Sequence, residues 1–144
     1  MKKIINLLVL LLFVFNGFSS NNSKSSNIIK DSSNNVNKVE VYYFHYKHRC
    51  STCLAVEEQT RNDLIDIYPA KVNSGKITFQ SVDMEEKNGE DLANKMNVKW
   101  QTLIFIHNDQ RIDLTNDAFL YATTTPDKLK VKIKETVDKM LNLK

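Results

Sequence analysis

Apolar and polar residues follow each other with periods that change along the chain, and these changes predict where strands and helices lie. Residues 39–46, VEVYYFHY, are rich in β-branched and aromatic side chains and therefore predict a strand. Apolar side chains fall on both of its faces, with Val39, Val41 and Tyr43 on one and Tyr42 and Phe44 on the other. A strand that is apolar on both faces is typical of the centre of a covered sheet.

Helical periods follow this strand. Apolar residues in the segment 51–68 recur at the spacing of a helix face, and Pro69 is expected to end or kink that helix. These apolar residues are Leu54, Leu64, Ile65 and Tyr68. Residues 74–83 predict a second strand after a turn, and residues 85–98 suit a short helix. The inner side of that short helix carries Leu92, Ala93 and Met96.

The last third of the chain predicts a hairpin and a final helix. Residues 101–115 contain a continuous apolar run, a turn at Asn108 and Asp109, and then an alternating segment. Residues 125–127, Thr-Pro-Asp, are a good helix start, with a capping hydroxyl, a proline at the first position and an acid in the first turn. The apolar stripe of that helix consists of Leu129, Ile133, Val137, Met140 and Leu141.

The order of elements predicts an α/β fold with a central mixed four-stranded sheet, β-α-β-α-β-β-α, flanked by helices. The helices that join the first three strands imply that those strands are parallel and connected by right-handed crossovers. The hairpin is expected to add an antiparallel strand at the edge of the sheet.

The N-terminal residues predict export. Lys2 and Lys3 precede an apolar run over residues 4–15, and Gly17 and Ser19 then supply the small residues of a cleavage site. This order is typical of a secretory signal peptide over residues 1–19, and a retained N-terminal anchor is the alternative. Residues 20–37 form a Ser/Asn/Lys-rich flexible linker, and residues 38–144 form one domain. The mature protein is therefore expected in a periplasmic or other extracytoplasmic compartment, where disulfides persist.

Charge and glycine content exclude several classes of function. Removing Lys2 and Lys3 with the signal leaves 18 basic against 17 acidic residues, interspersed along the chain. This balance indicates neither a nucleic-acid partner nor a membrane surface. The three glycines, Gly17, Gly75 and Gly89, cannot form a GxGxxG loop, so no bound flavin or nicotinamide cofactor is expected.

The stretch FHYKHRCSTC, residues 44–53, concentrates the chemistry of the chain and contains both of its cysteines. Cys50 is predicted at the start of the first helix, where free N–H groups and the helix dipole favour a thiolate. The adjacent Arg49, and His48 or His45 when protonated, would add positive charge. Cys53 lies one turn further on, should be more buried, and would resolve a mixed disulfide formed by Cys50.

The two hydroxyl groups inside the motif, on Ser51 and Thr52, could donate a hydrogen bond to the thiolate. Three other interpretations remain open at this point. The cysteines could form a permanently oxidised local bridge. They could instead bind a metal or metalloid together with His45 and His48, since cysteine and histidine are the ligands that zinc and copper favour. The domain could also be a non-catalytic adaptor that holds a partner in a groove beside Trp100.

The placement of CxxC between the first strand and the first helix resembles the thioredoxin fold over nearly all of residues 38–144. Three segments correspond in order: VYYFHYKHRCSTC, ITFQSVDMEEKNGEDLANKMNV and WQTLIFI. The predicted signal peptide with FHYKHRCSTCLAVE is more narrowly similar to exported thioredoxin-like proteins described as nitrophenyl-compound nitroreductase subunits (ArsF-type). The resemblance implies that Cys50 and Cys53 exchange electrons with protein thiols and disulfides or with a partner reductase.

The position of Glu57, four residues after Cys53, resembles the pattern in exported thioredoxin-like domains that receive electrons from membrane thiol transporters. The resemblance makes such a transporter a candidate electron donor. If Glu57 reaches under the dithiol, it could accept the proton of Cys53. The chain departs from thioredoxins at Phe44, where they carry a buried acid, and at Gln101, where they carry a cis-proline. A trans bond is expected before Gln101 because a non-proline cis bond is costly.

Two residues at the start of the third strand are candidates for partner contacts. The resemblance implies that this part of the chain faces the dithiol. The main chain of Gln101 is therefore available for pairing with an extended partner segment. Trp100 either caps the core or forms one side of a substrate groove.

Overall fold

The computed structural model describes residues 38–143, so the predicted signal peptide, the predicted linker and Lys144 lie outside the described residues. Within that range no helix has the length and apolar character needed to cross a bilayer. The elements are β1 (Val39–His45), α1 (Ser51–Ile67), α2 (Pro69–Asn73), β2 (Ile77–Asp83), α3 (Lys87–Lys95), β3 (Thr102–His107), β4 (Gln110–Asp113), α4 (Thr115–Tyr121) and α5 (Pro126–Met140).

The strands form one mixed four-stranded sheet in the order β2-β1-β3-β4, which confirms the predicted fold class. The strand β1 lies inside this sheet, as its two apolar faces predicted. β1 pairs with β2 in parallel, and β3 pairs with β4 as an antiparallel hairpin. The hairpin turns at Asn108, whose φ of 52° lies in the left-handed region that asparagine tolerates.

The prediction that the first three strands are parallel was wrong for β3, which runs antiparallel to β1. A helix between two strands does not by itself fix their relative direction, because the loop after the helix decides at which end of the sheet the next strand enters. Here residues 96–101 lead β3 into the sheet at the end of β1. β3 therefore begins opposite the end of β1, with Thr102 paired to Phe44. This reversal places residues 100 and 101 at the sheet end where the cysteine loop leaves β1.

Each face of the sheet has its own apolar core, and β1 contributes to both. Val39, Val41 and Tyr43 pack on the face covered by α1, α4 and α5, whereas Tyr42 and Phe44 pack on the face covered by α3. The alternation predicted for β1 is confirmed. The predicted stripe of α5 is confirmed as well: Leu129, Ile133, Val137 and Met140 are buried, and Leu141 packs against them.

The helices differ from the sequence prediction in three respects. Leu54 and Ile65, expected on the inner face of α1, are each 50% exposed, whereas Leu64 and Tyr68 are buried as expected. The helices α2 and α4 were not predicted. Thr125 precedes α5 as expected, but its side chain makes no capping hydrogen bond. Pro69 ends the first helix and occupies the first turn of α2.

The short helix α3 is confirmed, and its contact with the end of β2 depends on a glycine. A Cβ atom on Gly89 would lie 1.9 Å from the carbonyl oxygen of Asp83, so only glycine fits this approach. Ala93 is buried on the inner side of α3, and Leu92 and Met96 pack against the same core. The predicted inner face of this helix is therefore confirmed.

Candidate functional site

The two cysteines lie at the junction between β1 and α1 and form a disulfide, with their Cα atoms 5.0 Å apart. Cys50 is the N-cap of α1, and its Sγ accepts a hydrogen bond from the backbone N–H of Cys53 at 3.1 Å. Cys50 is exposed, whereas Cys53 is only 4% exposed. The predicted helix position and the predicted difference in burial are both present in the structure.

The surroundings of Cys50 favour a negative sulfur when the bridge is reduced. A helix N-terminus supplies partial positive charge, and the first turn of α1 contains no acidic residue to oppose it. The hydrogen bond to Cys50 Sγ comes from the backbone, while Ser51 is exposed and Thr52 is half-buried. The hydrogen bond that the geometry displays comes from the helix terminus, and the assistance expected from the two hydroxyl groups stays a prediction.

The start of β3 faces the dithiol. Oε1 of Gln101 lies 3.7 Å from Sγ of Cys53, so a reduced Cys53 could donate its thiol hydrogen to this amide. All peptide bonds of residues 38–143 are trans, which confirms the expectation for Gln101. Trp100 is 66% exposed and therefore does not cap the core. Its loop is tied to the end of β1 by Tyr46, whose hydroxyl donates to the carbonyl of Lys99 at 3.2 Å.

A half-buried ion pair lies beside the first turns of α1. Arg49 pairs with Glu57, and each side chain is only 17% exposed. Nη2 of Arg49 also donates to the carbonyl oxygen of Cys53 at 3.4 Å. Arg61 donates to the other carboxylate oxygen of Glu57 at 2.8 Å. Two arginines therefore share one carboxylate, which leaves one positive charge in excess next to the disulfide.

The ionisation of Glu57 follows from these contacts. Burial acts to raise the pKa of its carboxyl, but contacts from Ser81 and the two arginines outweigh burial and hold that pKa below its ordinary value. A carboxylate with a lowered pKa is a weak proton acceptor. The proton transfer from Cys53 to Glu57 stays a prediction, and the lowered pKa of Glu57 means that its carboxyl is ionised near neutral pH.

Tyr43 lies beneath Arg49, with the guanidinium carbon 5.6 Å from the centre of the phenol ring. Burial raises the pKa of the Tyr43 hydroxyl, and the charge of Arg49 opposes that rise. Two buried polar atoms in this region have no hydrogen-bond partner among the residues described: Tyr43 Oη and Arg49 Nε. The ion pair is therefore incompletely satisfied.

The histidines are not arranged as metal ligands with the cysteines. Nε2 of His45 lies 2.9 Å from Oγ of Ser81, and its Nδ1 lies 3.0 Å from the carbonyl oxygen of Tyr46. Both ring nitrogens of His45 are therefore engaged elsewhere, while His48 is exposed. Across residues 38–143, no three side chains of histidine, cysteine, aspartate or glutamate lie close enough together to hold a metal ion.

Sequence reasoning missed three members of this site: Tyr43, Arg61 and Ser81. Arg61 could have been found, because it lies four residues after Glu57 and such pairs meet on one helix face. Tyr43 was read only as a core residue. Ser81 becomes a neighbour of β1 only through the register that pairs it with Tyr43, which no local pattern reveals.

Comparison with known proteins supports the fold and leaves the family open. No family model matches the chain, and no curated protein matches it. Among solved structures, human ERp44 in a zinc-bound form is 16% identical, covers 72% of this chain and 28% of its own, and has a TM-score of 0.50. Oxidised thioredoxin O2 from Arabidopsis thaliana is 20% identical over 69% of this chain and 75% of its own, with a TM-score of 0.48.

A third solved structure is the germline-specific thioredoxin Deadhead from Drosophila melanogaster. It is 21% identical, covers 69% of this chain and 81% of its own, and has a TM-score of 0.44. At such identities the similarity concerns the fold alone. The sheet order and the CxxC disulfide at the start of α1, together with the similarity to ERp44, define a protein of thioredoxin-like fold.

Proposed function

We propose that this protein is an exported thiol–disulfide oxidoreductase that cycles Cys50 and Cys53 between the dithiol and the disulfide. The observation that carries the proposal is the position of Cys50: its sulfur is exposed and accepts a hydrogen bond from an N–H group at the start of a helix. A thiolate is the attacking species in disulfide exchange, and this position stabilises a thiolate.

The exchange proceeds in two steps that conserve atoms and electrons. The thiolate of Cys50 attacks one sulfur of a client disulfide, which forms a mixed disulfide and releases the other client sulfur as a thiolate. Cys53 then loses its proton and attacks Sγ of Cys50, which forms the internal bridge and releases the second client sulfur. The client has gained two electrons, and a donor dithiol returns them to the Cys50–Cys53 bridge by the reverse chemistry.

The surface around Cys50 supports protein clients rather than small molecules. Trp100 presents an exposed ring beside Gln101, and Gln101 contacts Cys53. A flat aromatic surface next to an exposed sulfur suits contact with another polypeptide. A dedicated reductase as client and a membrane thiol transporter as donor rest on sequence resemblance. The extracytoplasmic location rests on the signal-peptide pattern of residues 1–19.

The test is to trap the mixed disulfide. The variant Cys53→Ser, expressed with residues 1–37 present, lacks the resolving thiol, so Cys50 should remain covalently linked to its client in the fraction outside the cytosol. The linked species should be separable by reduction and should contain a protein thiol partner. The double variant Cys50→Ser/Cys53→Ser is the matched control and should yield none.

Absence of a linked species from Cys53→Ser, with the variant folded and exported, would contradict thiol exchange and favour a permanent local bridge. Recovery of the protein in the cytosol would instead contradict the proposed location. The two failures are distinguished because the first concerns the sulfur chemistry and the second concerns residues 1–19.

A further inference from the structure

We propose that the Arg49–Glu57 ion pair sets the thiol–disulfide equilibrium of Cys50 and Cys53, with Arg49 favouring the reduced form and Glu57 limiting that effect. Both are positioning residues, since neither supplies a reacting atom. The inference rests on the proposed function, because it concerns the redox poise of the same cysteine pair.

The placement of the pair is the first argument. Arg49 immediately precedes Cys50, and Glu57 lies one turn of α1 beyond Cys53, so the ion pair brackets the turn that holds both sulfurs. The guanidinium donates to the carbonyl oxygen of Cys53 at 3.4 Å. Its charge is therefore held beside the first turn of the helix and does not extend into solvent.

Burial is the second argument. Charges that are largely removed from water interact more strongly with their neighbours and are screened less by salt than surface charges. Arg49 and Glu57 are each 17% exposed, whereas both members of the Lys132–Glu135 pair on α5 are at least 45% exposed. The buried pair consequently exerts a larger effect on a thiolate than surface charges do.

The unsatisfied atoms are the third argument. Arg49 Nε is buried without a hydrogen-bond partner among the described residues, and so is the neighbouring Tyr43 Oη. A buried ion pair with incomplete hydrogen bonding contributes little to stability, and apolar side chains of similar volume often serve better. Stability alone therefore does not explain the pair, whereas an electrostatic effect on the adjacent sulfurs does.

The charged and polar groups on the neighbouring elements do not cancel the electrostatic effect of the Arg49–Glu57 pair. Arg61 on α1 adds a second positive charge to Glu57. On β1, the ring of Tyr43 faces Arg49. His45, also on β1, is hydrogen-bonded to Ser81 of β2. With one carboxylate and two guanidinium groups, the region has a net positive charge when Glu57 is ionised.

The direction of the effect follows from where charge develops on reduction. Reduction of the bridge takes up two electrons and one proton, which produces a thiolate at Cys50 and a thiol at Cys53. The oxidised bridge carries no charge, so nearby positive charge favours the reduced form, and nearby negative charge favours the bridge. Arg49 and Glu57 therefore act with opposite signs.

The experiment measures the equilibrium of each variant with glutathione and the pH dependence of Cys50 alkylation. Glu57→Gln should shift the equilibrium about tenfold towards the dithiol, which corresponds to about 30 mV, and should move the alkylation midpoint to lower pH. Arg49→Gln should shift both quantities by a similar amount in the opposite direction. Arg49→Lys keeps the charge and should stay within about threefold of the unmodified protein.

Glu135→Gln removes one carboxylate from the surface pair on α5 and is the matched control, expected to leave both quantities unchanged. Shifts of the same sign in Glu57→Gln and Arg49→Gln, or no shift in either, would overturn the inference and indicate a purely structural pair. If Arg49→Gln does not fold, Glu57→Gln and Arg49→Lys decide the question alone. If the unmodified bridge fails to equilibrate with glutathione, the proposed function itself falls, and the inference with it.

Discussion

The helices α1 and α5 pack against each other and cover the same face of the sheet, but they bury different kinds of side chain. The buried face of α5 is mainly apolar and carries Leu129, Ile133, Val137 and Met140, with Thr136 as its one buried polar residue. The buried face of α1 carries two apolar residues, Val56 and Leu64, together with Cys53, Thr60 and Asp63. At the same time α1 leaves Leu54 and Ile65 half exposed.

This contrast indicates that α5 mainly stabilises the fold, whereas α1 mainly carries the candidate site. The helix α5 has the amphipathic pattern of an element held by the hydrophobic effect. The helix α1 begins at the disulfide and buries the polar side chains of Thr60 and Asp63, where each unpaired group opposes folding. We infer that α5 supplies most of the stability of this face and that α1 is organised around the cysteines.

The largest expected change in the free energy of unfolding comes from a substitution in α5. Replacing the fully buried Ile133 with alanine should lower the free energy of unfolding by about 2–5 kcal/mol, because the change removes apolar contacts and leaves a cavity. Val131→Ala, on the exposed side of the same helix, should change it by less than about 0.5 kcal/mol. Urea unfolding of the oxidised protein measures both values. Equal losses in the two variants would remove the distinction between the faces of α5.

A smaller effect of opposite sign is expected on α1. Thr60 is fully buried, and its Oγ1 has no partner within residues 38–143. Thr60→Val replaces that hydroxyl with a methyl group of similar size and should stabilise the protein by about 1 kcal/mol. Thr115→Val makes the same chemical change where Oγ1 accepts from the backbone N–H of Leu103, and it should destabilise instead. Destabilisation by Thr60→Val in the same urea assay would show that its hydroxyl is satisfied.

The most subtle test concerns pH. Asp63 is 2% exposed, and its Oδ2 lacks a partner among the described residues. Burial raises the pKa of its carboxyl, while the hydrogen bond from Gln59 and the charge of Lys130 oppose the rise, and Asp66 and Asp127 add to it. The unfolded chain releases this proton at a lower pH than the folded protein does. The Asp63 contribution to stability therefore falls as pH rises from the ordinary aspartate value through the raised one.

Asp63→Asn removes this titration. The difference in unfolding free energy between Asp63→Asn and the unmodified protein should therefore increase in favour of the variant between about pH 4 and about pH 7. The comparison of the two proteins cancels the other titrating groups. A difference that stays constant or declines over this range would show that Asp63 titrates normally in the folded state.

Local pattern was sufficient for much of this fold. The alternation of β1, the hairpin at Asn108 and the stripe of α5 were predicted because each reflects contacts repeated along one element. The same holds for Cys50, since the start of a helix after a strand is a local property. The buried face of α1 was only half predicted. Leu54 and Ile65 fit its apolar spacing but are half exposed, whereas the polar residues Thr60 and Asp63 are buried.

Sequence by itself determined the thioredoxin-like order of elements and the position of the cysteines at a helix start, since both depend on periodicity and on neighbouring residues. Tertiary structure alone decided the antiparallel direction of β3, the contact between Gln101 and Cys53, and the burial of the Arg49–Glu57 pair. These features join residues that lie far apart in sequence or that several elements enclose together. Their geometry follows from strand pairing, strand register and packing, which no local pattern encodes.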